Sequence, residues 1–416
     1  MSEAKTAAHD QRDATLRSVV VIGLGYVGRP LAFGAAGAGL AVTGFDLDAG
    51  ACARAMAGWR GGGPGTLRVT ANPAALPAAD AWIIAVPTPL DSSGEPDLGA
   101  VRLALEHCAA RLRRGALVTL VSTCQPGATR QLCAPAIERA GLTIGRDVFL
   151  AVSPERENPG HRTGLRETPR LLGALDAESL AVAEQFWRRL VDQVVPVASA
   201  EIAECAKLLE NAYRLVNIAL MGELHHAFTA LGVPTADVVR AAATKPFGFQ
   251  PFWPGLGAGG HCIPVDPVYL LREVQAAGAP APLLDQALRI NAARAGQVAA
   301  RIAAHFGGEL RGRRILVAGV CYKPEVPDIR CSAAVRLLRR LVAEGAAARW
   351  HDPVLTDAPA ELAGHPRSAG LRDHAPEAIV LGVPHRAFDA PALAAAAPVV
   401  FDPFAVLPAG GAVIAV

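Results

Sequence analysis

Short apolar runs alternate along the chain with segments of helical periodicity. Each run is long enough for a buried strand and ends in polar or turn-forming residues. The runs begin at Ser18, Ala41, Ala81, Ala116 and Asp147. Helical patterns at 98–112 and 126–140 separate the later runs. This alternation predicts an α/β fold with a doubly wound parallel sheet.

A longer helical pattern follows, from Ser199 to Gly232. Its apolar positions recur at helical spacing and predict the face of a helix buried between domains. These positions are Ile202, Ala206, Leu209, Ala212, Val216 and Ala219. A second helical region is predicted at 281–306, and from Arg311 the strand, turn, helix and strand pattern repeats. The sequence therefore predicts domains at 1–198, 199–310 and 311–416.

Composition indicates a globular protein with small-molecule partners. The chain has 416 residues, of which 51% are hydrophobic and 19% are charged, a length that predicts two or three domains. Its net charge of +2 is spread along the sequence. Binding to nucleic acid or to a membrane surface needs clustered basic residues, so neither partner is predicted.

The cysteines and the N-terminal segment indicate the reducing cytoplasm. Eight cysteines are too few for a disulfide framework in a chain of this length, and no C-x-x-C pair suggests zinc. We therefore predict mostly buried thiols and no metal site. The opening segment "MSEAKTAAHDQRDATLR" is polar, and no membrane-length apolar run follows it. These features predict a cytoplasmic protein.

The first apolar run leads into a glycine-rich turn, "GLGYVG", with the spacing Gly23-x-Gly25-x-x-Gly28. A helical pattern, a second strand and Asp46 follow, which is the context of a dinucleotide-binding Rossmann fold. Gly23 permits the tight turn, Gly25 lets backbone approach a pyrophosphate, and Gly28 lets helix and strand pack closely. Asp46 can bind the adenosine ribose and would repel a 2′-phosphate, so NAD is predicted rather than NADP. The alternative is a glycine-rich turn that binds nothing.

Further ligand contacts are predicted at the ends of strands. In doubly wound sheets, ligands bind beyond the carboxyl ends of the strands, where Thr88, Thr123 and Glu155 stand. We predict that these three residues face the cofactor and the substrate. Capping of the following helices is the alternative for the two threonines. Tyr26 and Val27, inside the glycine turn, are also predicted to contact the cofactor.

Lys207 and Asn211 are four residues apart in the long helical pattern. Their side chains therefore leave the same face of the helix. One interpretation is a paired donor site for a developing negative charge. The alternative is a solvated lysine paired with Glu204 or Glu210.

The second α/β region has basic residues where a ligand would bind. Its first strand is predicted to end at Lys323, and Arg330 is predicted to open the next helix. Basic residues at the carboxyl end of a parallel sheet suit an anionic ligand, most simply a nucleoside diphosphate. The alternative is an ordinary basic surface.

A single cysteine, Cys262, lies in the glycine-rich segment "PGLGAGGHCIPVDP". Glycines allow backbone to approach a substrate closely. A thiolate can add to an aldehyde, and the thiohemiacetal can lose a hydride to give a thioester. A simple alcohol dehydrogenase needs no thiol, so Cys262 predicts an aldehyde intermediate. The alternative is a buried structural cysteine.

Together these segments resemble the UDP-glucose/GDP-mannose dehydrogenase family over nearly the whole chain. The resemblance rests on motifs that occur in the family's order: "GLGYVG", "VPTP", "STCQPGAT", "SPERENPG", "KLLENAYRLVNIA", "GGHCIPVDP" and "YKPEVPDIR". Within the family, "TKPFGFQPFWPG" and "SPERENPG" look most like bacterial UDP-N-acetylglucosamine 6-dehydrogenases and related UDP-N-acetylhexosamine enzymes. UDP-glucose or another NDP-hexose is the alternative substrate. A more distant alternative for the function is an NAD-binding protein without catalytic activity.

The resemblance implies oxidation of the sugar C6 alcohol to a carboxylate with NAD, by a homodimer built on the long helix. It implies that Cys262 is the nucleophile and that Lys207 and Asn211 stabilise oxyanions. The remaining roles are also implied by position in the matching motifs. Water would be held or activated by Thr123, Glu155 and Asp266. The UDP-sugar would be bound by Glu155, Lys207, Asn211, Phe252, Gly259 and Lys323. Arg330 would reach towards NAD.

Several positions depart from the family pattern. The region 58–67 looks shortened, Leu256 replaces a usual proline, and Cys331 replaces a usual glutamate. Many UDP-glucose relatives have an arginine where Phe247 stands. The absence of that arginine favours a different sugar from glucose.

Overall fold

The computed structural model describes residues 16–156, 164–408 and 411–416. The polar segment 1–15 and the end of the "SPERENPG" motif, at 157–160, lie outside the described residues. The chain divides into two compact units. The first runs to Leu209 and includes Val268–Glu273, and the second comprises Glu210–Pro267 and Val274–Val416.

The first unit is built on a sheet whose described strands have the order β3-β2-β1-β4-β5-β6-β7-β8. The strands are β1 Ser18–Ile22, β2 Ala41–Phe45, β3 Thr66–Thr70, β4 Ala81–Ile84, β5 Ala116–Leu120, β6 Val148–Val152, β7 Arg170–Ala174 and β8 Val194–Pro196. All pairs are parallel except β6 with β7. In register, Ile22 lies opposite Phe45 on one side and Ile84 on the other.

Helices cover this sheet and explain why its inner strands are continuously apolar. They are α1 Gly28–Gly37, α2 Ala49–Gly58, α3 Gly99–Ala109, α4 Ala134–Glu138 and α5 Ala177–Arg188. Strands β4, β5 and β6 are buried at every position. A parallel sheet covered on both faces needs such strands, and each fully buried valine or isoleucine stabilises it by about 1.5–3 kcal/mol.

The second unit has a smaller sheet, entirely parallel, with the order β10-β9-β11-β12-β13. Its strands are β9 Arg314–Ala318, β10 Ala347–His351, β11 Ala378–Leu381, β12 Val399–Asp402 and β13 Val413–Ala415. The remaining helices are α6 Ala200–Ala230, which begins in the first unit, then α7 Thr235–Ala242, α8 Asp266–Ala276, α9 Pro282–His305, α10 Ala333–Ala343 and α11 Ala390–Ala394. The predicted pair of parallel α/β sheets and the long helix are confirmed.

Two details of the sequence prediction are wrong in the second unit. Strand β9 ends at Ala318 rather than at Lys323, because Gly319 turns the chain with φ +88°. A Cβ at Gly319 would lie 2.6 Å from the Val383 oxygen, so the turn requires glycine. Helix α10 begins at Ala333, capped by the Ser332 hydroxyl, so Arg330 lies in the preceding turn.

The predicted apolar face of α6 is wrong in part, since only Ala212 and Ala219 of its six positions are buried. Ile202 and Leu209 are exposed, at 47% and 64%, whereas Leu208 and Leu215 are fully buried. The apolar pattern of this helix contains two stripes, and helical spacing alone does not say which one is buried.

Within the described residues, no helix has both the length and the apolar character needed to cross a membrane.

Candidate active site

The glycine-rich turn of the first unit is as tight as a dinucleotide-binding turn. A Cβ at Gly28 would lie 1.7 Å from the Gly23 oxygen, and one at Gly23 would lie 2.4 Å from the Ala85 oxygen. A Cβ at Gly25, by contrast, would meet no atom within 4 Å. Gly23 and Gly28 therefore allow the turn to close, and Gly25 leaves room for a phosphate to approach the backbone.

Asp46 is held beside this turn by backbone donors. Its Oδ2 accepts a hydrogen bond from the Leu24 N–H at 2.7 Å, and its Oδ1 accepts from the Asp48 N–H at 2.9 Å. Each oxygen keeps a lone pair for a ribose hydroxyl. Tyr26 is exposed, and Val27 packs against the core. These residues fit an adenosine dinucleotide that has no 2′-phosphate.

The loops after β4 and β5 carry the two threonines. Thr88 is buried and Thr123 is half-buried. The Ser122 hydroxyl donates to the Val86 oxygen at 2.7 Å and ties the two loops together. Helix α3 begins at Gly99, whose N–H donates to Asp97, and the turn before α4 begins at Thr129, whose N–H donates to Glu204. Capping is therefore wrong as an explanation of Thr88 and Thr123.

Glu155 is oriented by a buried arginine that the sequence analysis missed. Arg170 donates from Nη1 to Glu155 Oε2 at 3.0 Å and from Nε to the Ser153 hydroxyl at 2.9 Å. Its guanidinium also lies 4.1 Å from the ring centroid of Trp187. Because this ion pair joins strands that are distant in sequence, no local pattern indicates it.

Helix α6 places polar side chains on its buried face. Lys207 is 8% exposed and Asn211 is 3% exposed, which contradicts the solvated lysine. Glu204, one turn earlier, accepts hydrogen bonds from the Gly127 N–H at 2.6 Å and the Thr129 hydroxyl at 2.6 Å. Burial raises the pKa of Glu204, while these donors oppose the shift. Glu204 thus anchors α6 to a loop of the first unit.

In the second unit, Asn211 joins the segment that carries Cys262. The Asn211 Nδ2 donates to Asp266 Oδ2 at 2.6 Å, and both side chains are buried. The Asp266 N–H donates to the Cys262 oxygen at 2.8 Å, so residues 262–266 form one helical turn. Cys262 is exposed, which contradicts a buried structural cysteine. The fold therefore gathers Asn211, Cys262 and Asp266.

Phe252 and Gly259 belong to the same unit. Phe252 packs edge to face on Tyr213 of α6, with 5.9 Å between centroids. A Cβ at Gly259 would lie 2.9 Å from the Cys331 oxygen, and the Gly260 N–H donates to the Arg330 oxygen at 3.0 Å. The glycines thus allow the Cys262 segment to lie against the turn that carries Arg330.

Lys323 and Arg330 differ in their surroundings. Lys323 is half-buried, and burial together with nearby Arg214 lowers the pKa of its ammonium group. Arg330 is exposed and forms a forked ion pair with Asp328, with 2.7 Å from Nη2 to Oδ2. Lys323 is therefore the less solvated of the two candidate anion-binding residues.

A buried cluster of Cys321, Asp352 and His385 stands at the carboxyl end of the smaller sheet. Burial would raise the pKa of Asp352, but donors including His385 and the Val320 N–H hold it well below its usual range. The Glu325 N–H donates to His385 Nδ1, so the ring proton is on Nε2 and faces Asp352.

Comparison with known proteins matches three successive segments of the chain to one family. Residues 62–191, 201–293 and 316–409 match the NAD binding domain, the central domain and the UDP binding domain of the UDP-glucose/GDP-mannose dehydrogenase family. A UDP-N-acetyl-D-glucosamine 6-dehydrogenase of Pseudomonas aeruginosa is 34% identical over 394 residues, which cover 89% of this chain and 91% of that protein.

Solved structures with 26% sequence identity are also similar. A UDP-D-ManNAc dehydrogenase from Pyrococcus horikoshii superposes with a TM-score of 0.81, covering 95% of this chain and 97% of that one. The UDP-N-acetyl-mannosamine dehydrogenase Cap5O from Staphylococcus aureus gives a TM-score of 0.79 with the same coverage. The chain therefore belongs to the UDP-glucose/GDP-mannose dehydrogenase family and is an NAD-dependent dehydrogenase.

Proposed function

We propose that the protein oxidises the C6 alcohol of a UDP-N-acetylhexosamine to a carboxylate through a covalent bond to Cys262. The observation that carries the proposal is the exposed thiol of Cys262, in one turn with Asp266 and its buried partner Asn211. One alcohol, one water and two NAD+ would give one carboxylate, two NADH and three protons. NAD, when bound, supplies the acceptor for the two hydrides.

The chemistry of Cys262 explains why no free aldehyde needs to leave. Its thiolate adds to the aldehyde carbon and forms a C–S bond, and loss of hydride from that carbon leaves a thioester. Water then adds to the thioester carbonyl, the C–S bond breaks, and the thiolate returns. We infer that Thr123, Glu155 and Asp266 hold or activate this water, with Arg170 orienting Glu155.

Lys207 and Asn211 suit the oxygen that becomes negative when the thiolate or water adds. An ammonium and an amide four residues apart on α6 donate from one face of the helix. Both residues are buried, and donors shielded from water stabilise an oxyanion more strongly than solvated donors. A non-catalytic NAD-binding protein would not need this buried pair.

The ligand-binding residues are assigned by their chemistry. We infer that Asp46, Thr88 and the turn from Gly23 to Gly28 hold NAD, and that Arg330 reaches towards it. Lys323, Phe252 and Gly259 are assigned to the nucleotide sugar. A half-buried ammonium such as that of Lys323 suits a diphosphate, since a charge-assisted hydrogen bond is stronger where water is partly excluded.

The sugar is tested by a panel of nucleotide sugars with purified protein, following NADH. We expect UDP-N-acetylglucosamine to give a higher kcat/KM than UDP-glucose. The reason is the presence of Phe247 rather than arginine, together with the named substrates of the similar proteins. UDP-N-acetylmannosamine belongs in the same panel. A higher kcat/KM for UDP-glucose would contradict the proposed sugar class, and equal use of NADP+ would contradict the role of Asp46.

We also propose a homodimer formed through α6. Ile202, Leu209, Tyr213 and Leu220 lie on one stripe of this helix and are each at least 47% exposed. An exposed apolar stripe of this length is typical of a protein interface. Leu209→Glu is expected to give a monomer by light scattering, whereas His226→Glu, at an exposed position outside the stripe, keeps the dimer. An unchanged mass for Leu209→Glu would contradict this interface.

A further inference from the structure

The glycine-rich segment before Cys262 is held by a side-chain amide. Asn291 of α9 accepts a hydrogen bond from the Ala258 N–H at 2.6 Å and donates one to the Ala258 oxygen at 3.2 Å. Asn291 is 5% exposed, and Ala258 is also buried. A segment outside regular secondary structure must find partners for its buried backbone groups. Asn291 supplies the partner of the Ala258 N–H and the shorter of two bonds to the Ala258 oxygen, which also accepts from Arg336 Nη2 at 3.4 Å.

Arg294, one turn later on α9, holds the start of the same segment. Its Nε donates to the Gly255 oxygen at 2.9 Å, and its Nη2 donates to the Val416 oxygen at 2.8 Å. Arg294 is 2% exposed, and burial and nearby Arg301 lower its pKa to about 10. Residues three apart on a helix share a face, so Asn291 and Arg294 hold the segment together.

The close approach of this segment to α9 depends on Gly257, which lies between Gly255 and Ala258. Gly257 has φ +100°, and a Cβ there would lie 2.9 Å from Asn291 Oδ1 and 3.6 Å from Arg294 Cβ. Any larger residue would therefore push the segment away from α9.

Backbone hydrogen bonds also fix the part of the segment around Cys262. After Ala258, the Gly260 N–H donates to the Arg330 oxygen, and the Cys262 oxygen accepts from the N–H groups of Val265 and Asp266. Backbone anchors thus lie on both sides of the Cys262 side chain. Because Cys262 is exposed rather than packed in a core, the backbone of the segment contributes to the position of its sulfur.

We propose that Asn291 and Arg294 are positioning residues that fix the Cys262 sulfur for reaction through the backbone of Gly255 and Ala258. This proposal rests on the proposed role of Cys262 as nucleophile. Without Asn291, the Ala258 N–H loses its partner and the Ala258 oxygen keeps only the longer bond from Arg336 Nη2, at 3.4 Å, so the segment shifts towards other partners or water. Misplacement of a reacting atom by about 1 Å can lower a rate by about 10²-fold.

The test measures rate and thiol reactivity in the same variants of the full chain. Asn291→Ala removes both hydrogen bonds, and Asn291→Asp keeps only the acceptor. Arg294→Lys keeps the charge but loses the forked donors. Arg289→Lys is the matched control on α9, because its side chain is 70% exposed. Iodoacetamide labelling of Cys262 is followed by peptide mass, with labelling of the same peptide after denaturation as the reference.

For Asn291→Ala we expect kcat to fall by about 10²-fold with an unchanged KM for NAD+. Labelling of Cys262 should rise relative to that reference, since the released segment moves more freely. Asn291→Asp and Arg294→Lys should show smaller changes in the same directions, and Arg289→Lys none. The buried thiols of Cys108 and Cys133 should remain unlabelled, which would show that the fold is intact.

Unchanged kcat and an unchanged labelling ratio in Asn291→Ala would overturn the positioning role. A loss of kcat in all three variants of Asn291 and Arg294, accompanied by labelling of Cys108 and Cys133, would also overturn it. That result would indicate that the two residues only stabilise the fold. Full activity of Cys262→Ser would instead overturn the proposed nucleophile. An inactive Cys262→Ser beside a fully active Asn291→Ala would overturn only the positioning role.

Discussion

Replacement of Cys262 with serine is expected to abolish carboxylate formation while NAD and the nucleotide sugar still bind. A serine hydroxyl is a much weaker nucleophile than a thiolate at neutral pH, and an ester is hydrolysed more slowly than a thioester. Loss of a covalent nucleophile should lower kcat on the order of 10³-fold or more. The assay counts NADH and uronic acid per sugar consumed, and calorimetry reports binding of both ligands.

Cys205→Ser is the matched control, because Cys205 is also exposed but lies on α6 outside the Cys262 turn. It should keep the full rate. A Cys262→Ser protein that still makes two NADH and one acid per sugar near the original rate would contradict covalent catalysis. A stable covalent sugar adduct in the protein mass would show that the variant stops before hydrolysis. One NADH per sugar would show that it stops after the first oxidation.

Replacement of Lys207 with methionine should lower kcat by about 10²–10³-fold, the range for loss of one oxyanion donor. Methionine is of similar length and apolar, so it suits a position that is 8% exposed. KM should change much less than kcat, since the donor acts mainly on charge that develops during reaction. The measurement is steady-state kinetics with the preferred sugar.

Lys245→Met provides the comparison for Lys207→Met, since Lys245 is exposed. It should leave kcat near that of the unmodified protein. A fully active Lys207→Met would show that the buried ammonium is structural, and the oxyanion role would then pass to Asn211 alone.

Features that depend on neighbouring residues could be predicted from the sequence. The strand, turn and helix around Gly23 were predictable because the glycine spacing and Asp46 lie within one βαβ unit. The buried strands β4, β5 and β6 were predictable for the same reason, since each is a continuous apolar run.

Features that depend on contacts distant in sequence could not be predicted. Arg170 pairs with Glu155 from another strand, and Asn291 binds Ala258 from another helix. No local spacing links the residues of either pair. The two apolar stripes of α6 have the same helical period, so the buried face could be identified only from the packing.

Turnover in the presence of hydroxylamine tests the central claim most directly. A sugar thioester on Cys262 reacts with hydroxylamine to give a hydroxamate at C6, whereas a released aldehyde gives an oxime. The account predicts a C6 hydroxamate, formed with two NADH per sugar and absent in Cys262→Ser. An oxime in place of the hydroxamate, with acid production falling as the oxime forms, would contradict the account, because free aldehyde rather than a thioester would then be the intermediate.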